Sequence, residues 1–379
     1  MSITAIICEY NPFHNGHFLQ LEEIRRQKGK DVKIIALMSG NTVQRGQLSI
    51  YPKHARAEAA VRCGVNLVLE LPCPFSCGSA EYFARGAVAL LDRLGIVDSL
   101  CFGSESGDLV KLNTVSENMR SPEFISAIKE SCASESHQRS SEAIYGSLFG
   151  DCFPKTPNDI LAVEYLNALS ILGSAITPFT YRREEGFSAS ESRKAILSGE
   201  ACEKLLPCEA QKVFSSFKPT SDELYSALAL YTIRNTPDNI LSGFFGMNGG
   251  VSGLLKNNAN SVSSLSELIT LCTCRKFSSA RLRRAILAAL LQVSDKDMKA
   301  PPLYSNLLAA DAKGRELLAI MRKSSNIPII TKNADSRALS QDAEKQFSIG
   351  RRADSLLALA RAESLKDYIS TPPYVAKNN

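Results

Sequence analysis

In the first hundred residues, short continuous apolar runs alternate with segments in which apolar residues recur at helical spacing. Short apolar runs rich in β-branched residues predict strands at 4–8, 33–38, 67–71 and 99–102. Apolar residues recur at helical spacing between these runs, which predicts helices at 17–28, 54–63 and 79–94. An alternation of strands and helices is typical of βαβ units, so the sequence predicts an α/β fold with a doubly wound parallel sheet.

The pattern changes along the rest of the chain. Residues 108–174 are mainly helical around a loop at 151–157, and a fifth strand at 175–181 precedes a helix that starts at 190. Beyond residue 199 strand signals nearly vanish, and 219–365 is dominated by helical segments, with a Gly-, Asn- and Ser-rich loop expected at 246–266. We therefore expect a Rossmann-like domain over 1–205 and a mostly α-helical domain over 206–379.

Composition narrows the class of protein. With 379 residues, 44% of them hydrophobic and 22% charged, the chain has the make-up of an ordinary folded protein. Its net charge of +5 permits a polyanionic partner without requiring one. The eleven cysteines lie mostly in apolar segments without zinc-ligand spacing, so they are interpreted as reduced packing residues. No basic leader and no apolar stretch of about 18 residues occurs, so we expect a cytoplasmic protein without a membrane span.

The segment 9–17 carries the clearest chemistry. It reads Glu-Tyr-Asn-Pro-Phe-His-Asn-Gly-His between the first predicted strand and helix, and it holds two of the four histidines. A helix N-terminus at this crevice of a doubly wound sheet attracts phosphate, and the ring N–H groups of His14 and His17 would reach the same ligand. The alternative is that His17 caps the helix and His14 is a solvated loop residue. No other phosphate-binding loop motif is present in the sequence.

These residues carry a family resemblance. His14-Asn15-Gly16-His17 resembles the HIGH signature of nucleotidyltransferases, and Ser-Ala-Ser-Glu-Ser-Arg-Lys at 188–194 resembles the second signature that contacts the triphosphate. With further matches at Gln44-Arg45-Gly46, Glu70-Leu71-Pro72 and Asn158-Asp159, the chain is identified as a member of the bacterial tRNA(Met) cytidine acetate ligase family.

The resemblance implies an activity and a set of residues. It implies that acetate and ATP form acetyl-adenylate and that the acetyl group then passes to N4 of the wobble cytidine of elongator tRNA(Met). It implies catalytic roles for His14, His17 and Arg193. The ATP-binding residues implied are Ile7, Cys8, Glu9, Tyr10, Asn11, Pro12, Phe13, His14, Asn15, Gly16, His17, Phe18, Leu19, Gln20, Gly103, Asn158, Arg182 and Arg183. Mg²⁺ is expected with the nucleotide, but no carboxylate cluster identifies metal ligands in the sequence.

Each of these residues also has a structural interpretation. Gly103 would end a strand, Asn158 would cap a helix, and the arginine pair would lie on a solvated face. RNA contacts have separate support from a run of five positive and no negative charges in ten residues, namely Arg275, Lys276, Arg281, Arg283 and Arg284. Two other functions remain open: a small-molecule adenylyltransferase of coenzyme biosynthesis, and a non-catalytic RNA-binding protein on a nucleotide-binding fold.

Overall fold

The sheet at the centre of the molecule contains all five of the predicted strands. The computed structural model describes residues 2–133, 141–184 and 186–376. The strands are β1 Ile3–Cys8, β2 Lys33–Ser39, β3 Thr42–Val43, β4 Gln47–Leu48, β5 Leu67–Leu71, β6 Ser99–Ser104, β7 Thr177–Arg182, β8 Ser305–Ala310, β9 Ile329–Ile330 and β10 Tyr374–Val375. The predicted strands correspond to β1, β2, β5, β6 and β7, so the α/β prediction is confirmed.

Helices cover both faces of the sheet and form most of the second half of the chain. In the first half they are α1 Asn15–Lys28, α2 Lys53–Arg62, α3 Ala80–Leu94, α4 Leu109–Met119, α5 Pro122–Ala133, α6 Ser141–Phe149, α7 Pro157–Leu172 and α8 Ala189–Ser198. Those that follow are α9 Cys208–Phe214, α10 Asp222–Asn235, α11 Asp238–Leu241, α12 Val251–Ala259, α13 Leu265–Cys272, α14 Ser279–Leu290, α15 Asp295–Lys299, α16 Ala312–Ser324, α17 Gln341–Ala360 and α18 Leu365–Ser370. No helix among the described residues is both long and apolar enough to span a membrane.

The strand order places a crevice above β1. The order is β10-β8-β5-β2-β1-β6-β7, with β9 paired to β8. From β1 the chain passes to β2 on one side and later to β6 on the other, and both pairings are parallel. In open α/β sheets, ligands bind outside the carboxyl ends of strands where the order reverses in this way.

Strand β8 is the main departure from the predicted sheet. It runs antiparallel to β5, with Leu69 opposite Leu307, so the sheet is mixed rather than wholly parallel. Its sequence, Ser-Asn-Leu-Leu-Ala-Ala, lacks the β-branched residues that mark strands, and burial between neighbours holds it extended instead. Because β8, β9 and β10 come from beyond residue 206, the second part of the chain contributes to the sheet of the first. The division at 206 stays a prediction.

The loop expected at 246–266 is partly helical, so that prediction was wrong. Gly249 and Gly250 have positive φ values of 66° and 93° and form the turn before α12. Val251, Leu255 and Ala259 then recur every four residues and are buried against neighbouring helices. Burial of this one face outweighs the weak helix propensity of the asparagines between them.

A buried ion cluster joins the second part of the chain to the sheet. The Lys53 ammonium lies 3.0 Å from Glu70 Oε2 and 2.8 Å from Asp354 Oδ1. Asn41 donates to the same Asp354 oxygen, and Asn306 donates to Glu70. Every charge in the cluster thus has a partner, which offsets the cost of removing the charges from water.

The cysteines behave as predicted. Most of those described, including Cys8, Cys73, Cys77 and Cys101, are buried and free of disulfides. Burial raises the pKa of the Cys101 thiol to about 12. A buried thiol that stays protonated packs as a small hydrophobe.

Candidate functional site

A cavity of about 310 Å³ opens at the carboxyl ends of β1 and β6. Several separate segments of the chain supply its walls, among them the loop before α1, the β3–β4 hairpin, the end of β6, the start of α7, and the stretch from β7 into α8. Residues predicted to bind ATP or act in catalysis come together here from most of these segments, among them His14, His17, Gly103, Asn158, Arg183 and Arg193.

The two histidines are stacked at the N-terminus of α1. Their ring centroids are 3.7 Å apart with planes inclined by 24°. His14 is the N-cap residue: its Nδ1 accepts a hydrogen bond from the Gly16 amide at 3.1 Å. His17 Nδ1 accepts one from the His14 amide at 3.2 Å. Helix capping and exposure of both rings to the cavity therefore occur together. The alternative is right that His17 takes part in the cap, but it is wrong that His14 is a solvated loop residue, because His14 is the N-cap and is buried.

Both rings are held neutral. Burial, followed by the charges of Arg183 and Arg193, lowers the pKa of His14 to about 4. Burial and the neighbouring His14 lower the pKa of His17 well below its usual value. Because each Nδ1 accepts a backbone N–H, each neutral ring carries its own proton on Nε2. The site thus has two Nε2–H donors of fixed tautomer without two buried cations.

Arg193 reaches the histidine loop from α8. Ser188 caps this helix through a hydrogen bond from the Glu191 amide to its hydroxyl at 3.1 Å. One turn later, Arg193 Nη1 donates to the Asn11 carbonyl at 2.8 Å, and Nη2 donates to Ser190 Oγ. These bonds fix the guanidinium at the cavity wall while leaving other N–H groups free for an anion.

Gly103 and Asn158 lie on the opposite wall. A Cβ atom on Gly103 would lie 2.8 Å from Tyr181 Oη and 2.9 Å from Arg183 Cγ, so a side chain here requires Arg183 to move. Asn158 Nδ2 donates to Glu105 Oε1 at 2.6 Å, which commits its amide group to the loop after β6. Burial alone would raise the pKa of Glu105, but the hydrogen bonds from Asn158 and Thr156 keep it low. The carboxylate therefore stays charged and holds α7 against β6.

The two arginines of the pair differ in their access to the cavity. Arg183 lines both the cavity and an adjoining groove, which it borders with Asn158 and Phe187. Arg182 borders the groove but does not line the cavity. The solvated-face interpretation of the pair does not fit Arg183.

The predicted ATP-binding stretch lies only partly at the cavity. Besides the histidines, the lining residues from this stretch are Ile7, Cys8, Glu9, Tyr10, Asn11 and Gln20. The others do not line it: Pro12, Phe13, Asn15, Gly16, Phe18 and Leu19. Phe13 is fully buried beneath the loop, and Asn15 donates instead to the Lys204 carbonyl. These residues shape the loop without facing the cavity.

Buried Arg56 supports the cavity floor, and sequence reasoning missed it. Its side chain is fully buried and donates to the backbone carbonyls of Glu9, Ser39 and Gly40. The ends of β1 and β2 are thereby joined through one guanidinium. The sequence alone does not distinguish a buried arginine of this kind from one on the exposed face of an amphipathic helix.

A short hairpin, β3–β4, supplies lining residues that were also missed. Val43, Gln44, Arg45 and Gln47 all border the cavity. The Gln44-Arg45-Gly46 motif was visible in the sequence, but two-residue strands are too short to show a period of two. The hairpin amide of Gln44 donates to Glu9 Oε1 at 2.7 Å.

The basic cluster lies at the start of α14. Arg275 and Lys276 are exposed, and Arg281, Arg283 and Arg284 are half-buried. Arg281 lies over the Phe277 ring at 4.9 Å, and Lys276 does so at 5.3 Å. Within the described part of the chain, none of the five forms an ion pair. Their charges are therefore available to an external polyanion.

Metal ligands are not gathered at the cavity. In residues 2–133, 141–184 and 186–376 no group of three or more His, Cys, Asp and Glu side chains is placed to hold an ion. Glu9, the acidic side chain on the cavity wall, already accepts from the Gln44 amide. The described residues do not fit a protein-bound metal centre.

Comparisons with known proteins agree with this geometry. The model of the HIGH Nucleotidyl Transferase family matches residues 1–368. The tRNA(Met) cytidine acetate ligase of Syntrophotalea carbinolica is 36% identical over 96% of this chain and 91% of its own length. That of a Thermoanaerobacter species is 35% identical over 88% and 89% of the two chains.

A solved structure has the same fold throughout. Thermotoga maritima TmcAL, bound with alpha-thio ATP, superposes with a TM-score of 0.90 at 27% identity and covers 100% of both chains. Its apo form matches with the same TM-score at 26% identity.

Proposed function

The chain belongs to the HIGH nucleotidyl transferase family and, within it, to the tRNA(Met) cytidine acetate ligases; from this premise we propose the substrates, steps and residue roles of its ligase reaction. An acetate oxygen attacks the α-phosphorus of ATP, pyrophosphate leaves, and acetyl-adenylate forms. The N4 amine of the wobble cytidine of elongator tRNA(Met) then attacks the acetyl carbonyl. AMP leaves, and the amine loses one proton to give N4-acetylcytidine.

The observation that supports this proposal is the meeting of His14, His17 and Arg193 in one cavity with Gly103 and Asn158. Attack on the α-phosphorus builds negative charge on its oxygens, and fixed donors that meet this charge lower the barrier. The Nε2–H groups of His14 and His17 are such donors. Because both rings are neutral, they stabilise the developing charge without forming a permanent ion pair with the ground state.

Arg183 and Arg193 would bind the pyrophosphate half of the nucleotide. A guanidinium presents parallel N–H groups that match phosphate oxygens, and Arg193 is already oriented by the Asn11 carbonyl. Arg182 would contact only the part of a ligand that extends into the adjoining groove. The adenosine would lie against the apolar wall formed by Phe102, Leu161 and Tyr165.

Mg²⁺ is expected to enter as part of the nucleotide substrate. The described residues offer no ligand cluster for it, so we assign no catalytic step to a protein-bound metal. The ion would reduce the charge repulsion between ATP and any incoming carboxylate.

The tRNA would bind across the basic cluster at the start of α14. None of its five cations forms an ion pair with another described residue, and α14 packs against the hairpin that borders the cavity. An RNA strand held here would deliver a base to the adenylate. We expect the reaction in the cytoplasm, where tRNA is available.

The test is nucleoside mass spectrometry of an elongator tRNA(Met) transcript after incubation with the protein, ATP, Mg²⁺ and carbon-13 acetate. We expect labelled N4-acetylcytidine, and an absence of label when ATP is omitted. Acetate-dependent exchange of pyrophosphate into ATP, measured without tRNA, reports the first step alone.

Other results would favour other functions. Exchange with no acetylcytidine would leave the adenylation site and remove the tRNA acceptor, which favours a small-molecule adenylyltransferase. Binding of tRNA with neither exchange nor acetylation would favour a non-catalytic RNA-binding protein.

A further inference from the structure

The β3–β4 hairpin is held rigidly beside the cavity. Its turn closes with a hydrogen bond from the Gly46 amide to the Val43 carbonyl at 2.9 Å. The Gln44 amide is bonded to Glu9, and Thr42 Oγ lies 2.9 Å from Ser76 Oγ in the short helix before α3. The position of the turn is therefore fixed by contacts on both sides.

Arg45 projects from this turn with a free charge. It is exposed and lines the cavity, and no hydrogen bond or ion pair engages its guanidinium within the described ranges. Its charge nevertheless acts on cavity residues. Burial raises the pKa of Glu9 and the Arg45 charge partly opposes that rise, while burial lowers the pKa of Arg193 and the Arg45 charge adds to the fall. Arg45 thus provides positive charge at the rim of the cavity. Arg193 differs from it, because its guanidinium already donates a hydrogen bond to the Asn11 carbonyl in the loop before α1.

The same turn is in direct contact with the basic helix. Gly46 has a φ of 72°, and a Cβ atom built there would lie 2.5 Å from the Arg284 amide nitrogen and 2.6 Å from the Arg283 carbonyl carbon. Only a glycine lets the turn approach the helix backbone this closely. Arg45 is consequently the residue between the cavity and the basic cluster on α14.

From this position we propose that Arg45 binds the RNA backbone phosphate adjacent to the reacting cytidine. The proposal rests on the function proposed above. A base that enters the cavity leaves its sugar and phosphates at the rim, where a free guanidinium forms paired hydrogen bonds with phosphate oxygens. Arg45 is then a positioning residue for the acceptor, and the Arg283–Arg284 region binds the strand on either side of it.

Two variants and a control test this role. Arg45→Ala removes the charge, and Arg45→Lys keeps the charge without the planar fork. Arg322→Ala is the matched control, because Arg322 is exposed in the last turn of α16. That helix ends beside Gly95, which precedes β6 and therefore lies at the amino end of that strand, whereas the cavity opens at its carboxyl end. For each protein we would measure acetate-dependent ATP–pyrophosphate exchange without tRNA, and the kcat and KM for tRNA acetylation.

The expected result is a split between the two reactions. Arg45→Ala should lower kcat/KM for tRNA by about 10-fold or more beyond any change in exchange, in line with the loss of one phosphate contact at a reacting position. Arg45→Lys should recover part of the loss, and Arg322→Ala should match the original protein in both reactions.

Two results would overturn the inference. An equal fall in exchange and acetylation would mean that Arg45 binds ATP rather than RNA. A tRNA KM and kcat equal to those of the original protein would mean that it binds neither. If the original protein acetylates no tRNA while exchange proceeds, the proposed function fails first, and that outcome is read from the unsubstituted protein alone.

Discussion

The His17 ring accepts the backbone amide of His14, while the two imidazoles stack 3.7 Å apart. This arrangement fixes both side chains with the same bonds that begin α1. Neither ring needs a separate residue to orient it, and both Nε2–H groups remain free for a ligand. The three-residue spacing of the histidines is thus required by the helix cap as well as by the chemistry.

Substitution of His17 should impair the first half-reaction. We expect His17→Ala to lower kcat for acetate-dependent ATP–pyrophosphate exchange by about 100-fold, because one fixed donor to the developing phosphate charge is lost. His17→Asn keeps an N–H donor and should retain more activity than His17→Ala. Exchange that is unchanged in both variants would exclude a catalytic role for this ring.

The exchange reaction should not show a histidine titration near pH 6.5. The pKa of His14 is lowered to about 4, and that of His17 is lowered well below its usual value. Both rings therefore stay neutral from pH 5 to 8, and kcat/KM should be free of a step with a midpoint near 6.5. A pH profile of exchange measures this; a step that disappears in His14→Asn would contradict it.

Folding stability should fall as the pH drops below 6.5. Burial, followed by the charges of Lys53 and Arg56, lowers the pKa of His54 to about 3, so the unfolded chain binds a proton that the folded chain does not. Stability from this group is thus fully present above pH 6.5 and falls, by up to about 1.4 kcal/mol per pH unit, until the pH nears the folded value. The free energy of unfolding of His54→Gln, measured from pH 7 to 5, should decrease less steeply.

A methyl group at Gly103 should weaken ATP binding more than it weakens the fold. Its Cβ would lie 2.9 Å from Arg183 Cγ, and the flexible arginine side chain can move away from it. We expect Gly103→Ala to raise the KM for ATP by about 10-fold while melting close to the original temperature. A large fall in melting temperature would show that the clash with Tyr181 destabilises the fold more than the displacement of Arg183 weakens ATP binding. Arg183→Ala should then reproduce the ATP defect without the loss of stability.

The basic cluster should contribute to the salt dependence of tRNA binding. Arg283→Ala with Arg284→Ala removes two of the five cations of this cluster. Each phosphate contact adds roughly 0.7 to 0.9 to the slope of log affinity against log salt, so the slope should fall by about 1.5. ATP affinity, measured on the same preparations, should be retained; an unchanged salt slope would exclude the cluster from the RNA interface.

The ion cluster that joins α17 to the sheet should be costly to break. Lys53→Met leaves Glu70 and Asp354 buried without their cation, which typically costs about 3–5 kcal/mol. Denaturant unfolding measures the loss. Lys33→Met is a control, because Lys33 pairs with an exposed Glu316 and should cost far less.

Local signals were sufficient for the parts of the fold that use regular periods. The apolar runs at β1, β2, β5 and β6 are buried along almost their whole length, and the sequence shows them directly. Strand β7 is less buried, but its threonines and aromatic residues are typical of a strand. Strand β8 shows no such signal, because Leu307 and Ala309 are held extended by pairing in the sheet, chiefly with β5, which lies more than 200 residues away along the chain. Long-range pairing of this kind leaves no local trace.

The residues of the candidate site also fall into those that a sequence motif predicts and those that only the folded structure reveals. His14, His17 and Arg193 were identified because each lies in a motif with a known phosphate geometry. Arg45 and Arg56 were not identified as site residues, since their roles depend on which backbone atoms lie nearby after folding. Arg182 is predicted together with Arg183 because sequence adjacency does not show that only Arg183 of the two also lines the cavity.

The placement of β8 also affects how the chain is made and how it can be cut. A ribosome synthesises β5 more than 230 residues before the strand that covers its edge, so until then the nascent chain exposes an unpaired row of N–H and C=O groups. A fragment that ends at residue 205 would keep that open edge permanently and would tend to associate through it. The catalytic half is therefore better studied within the whole chain than as an excised piece.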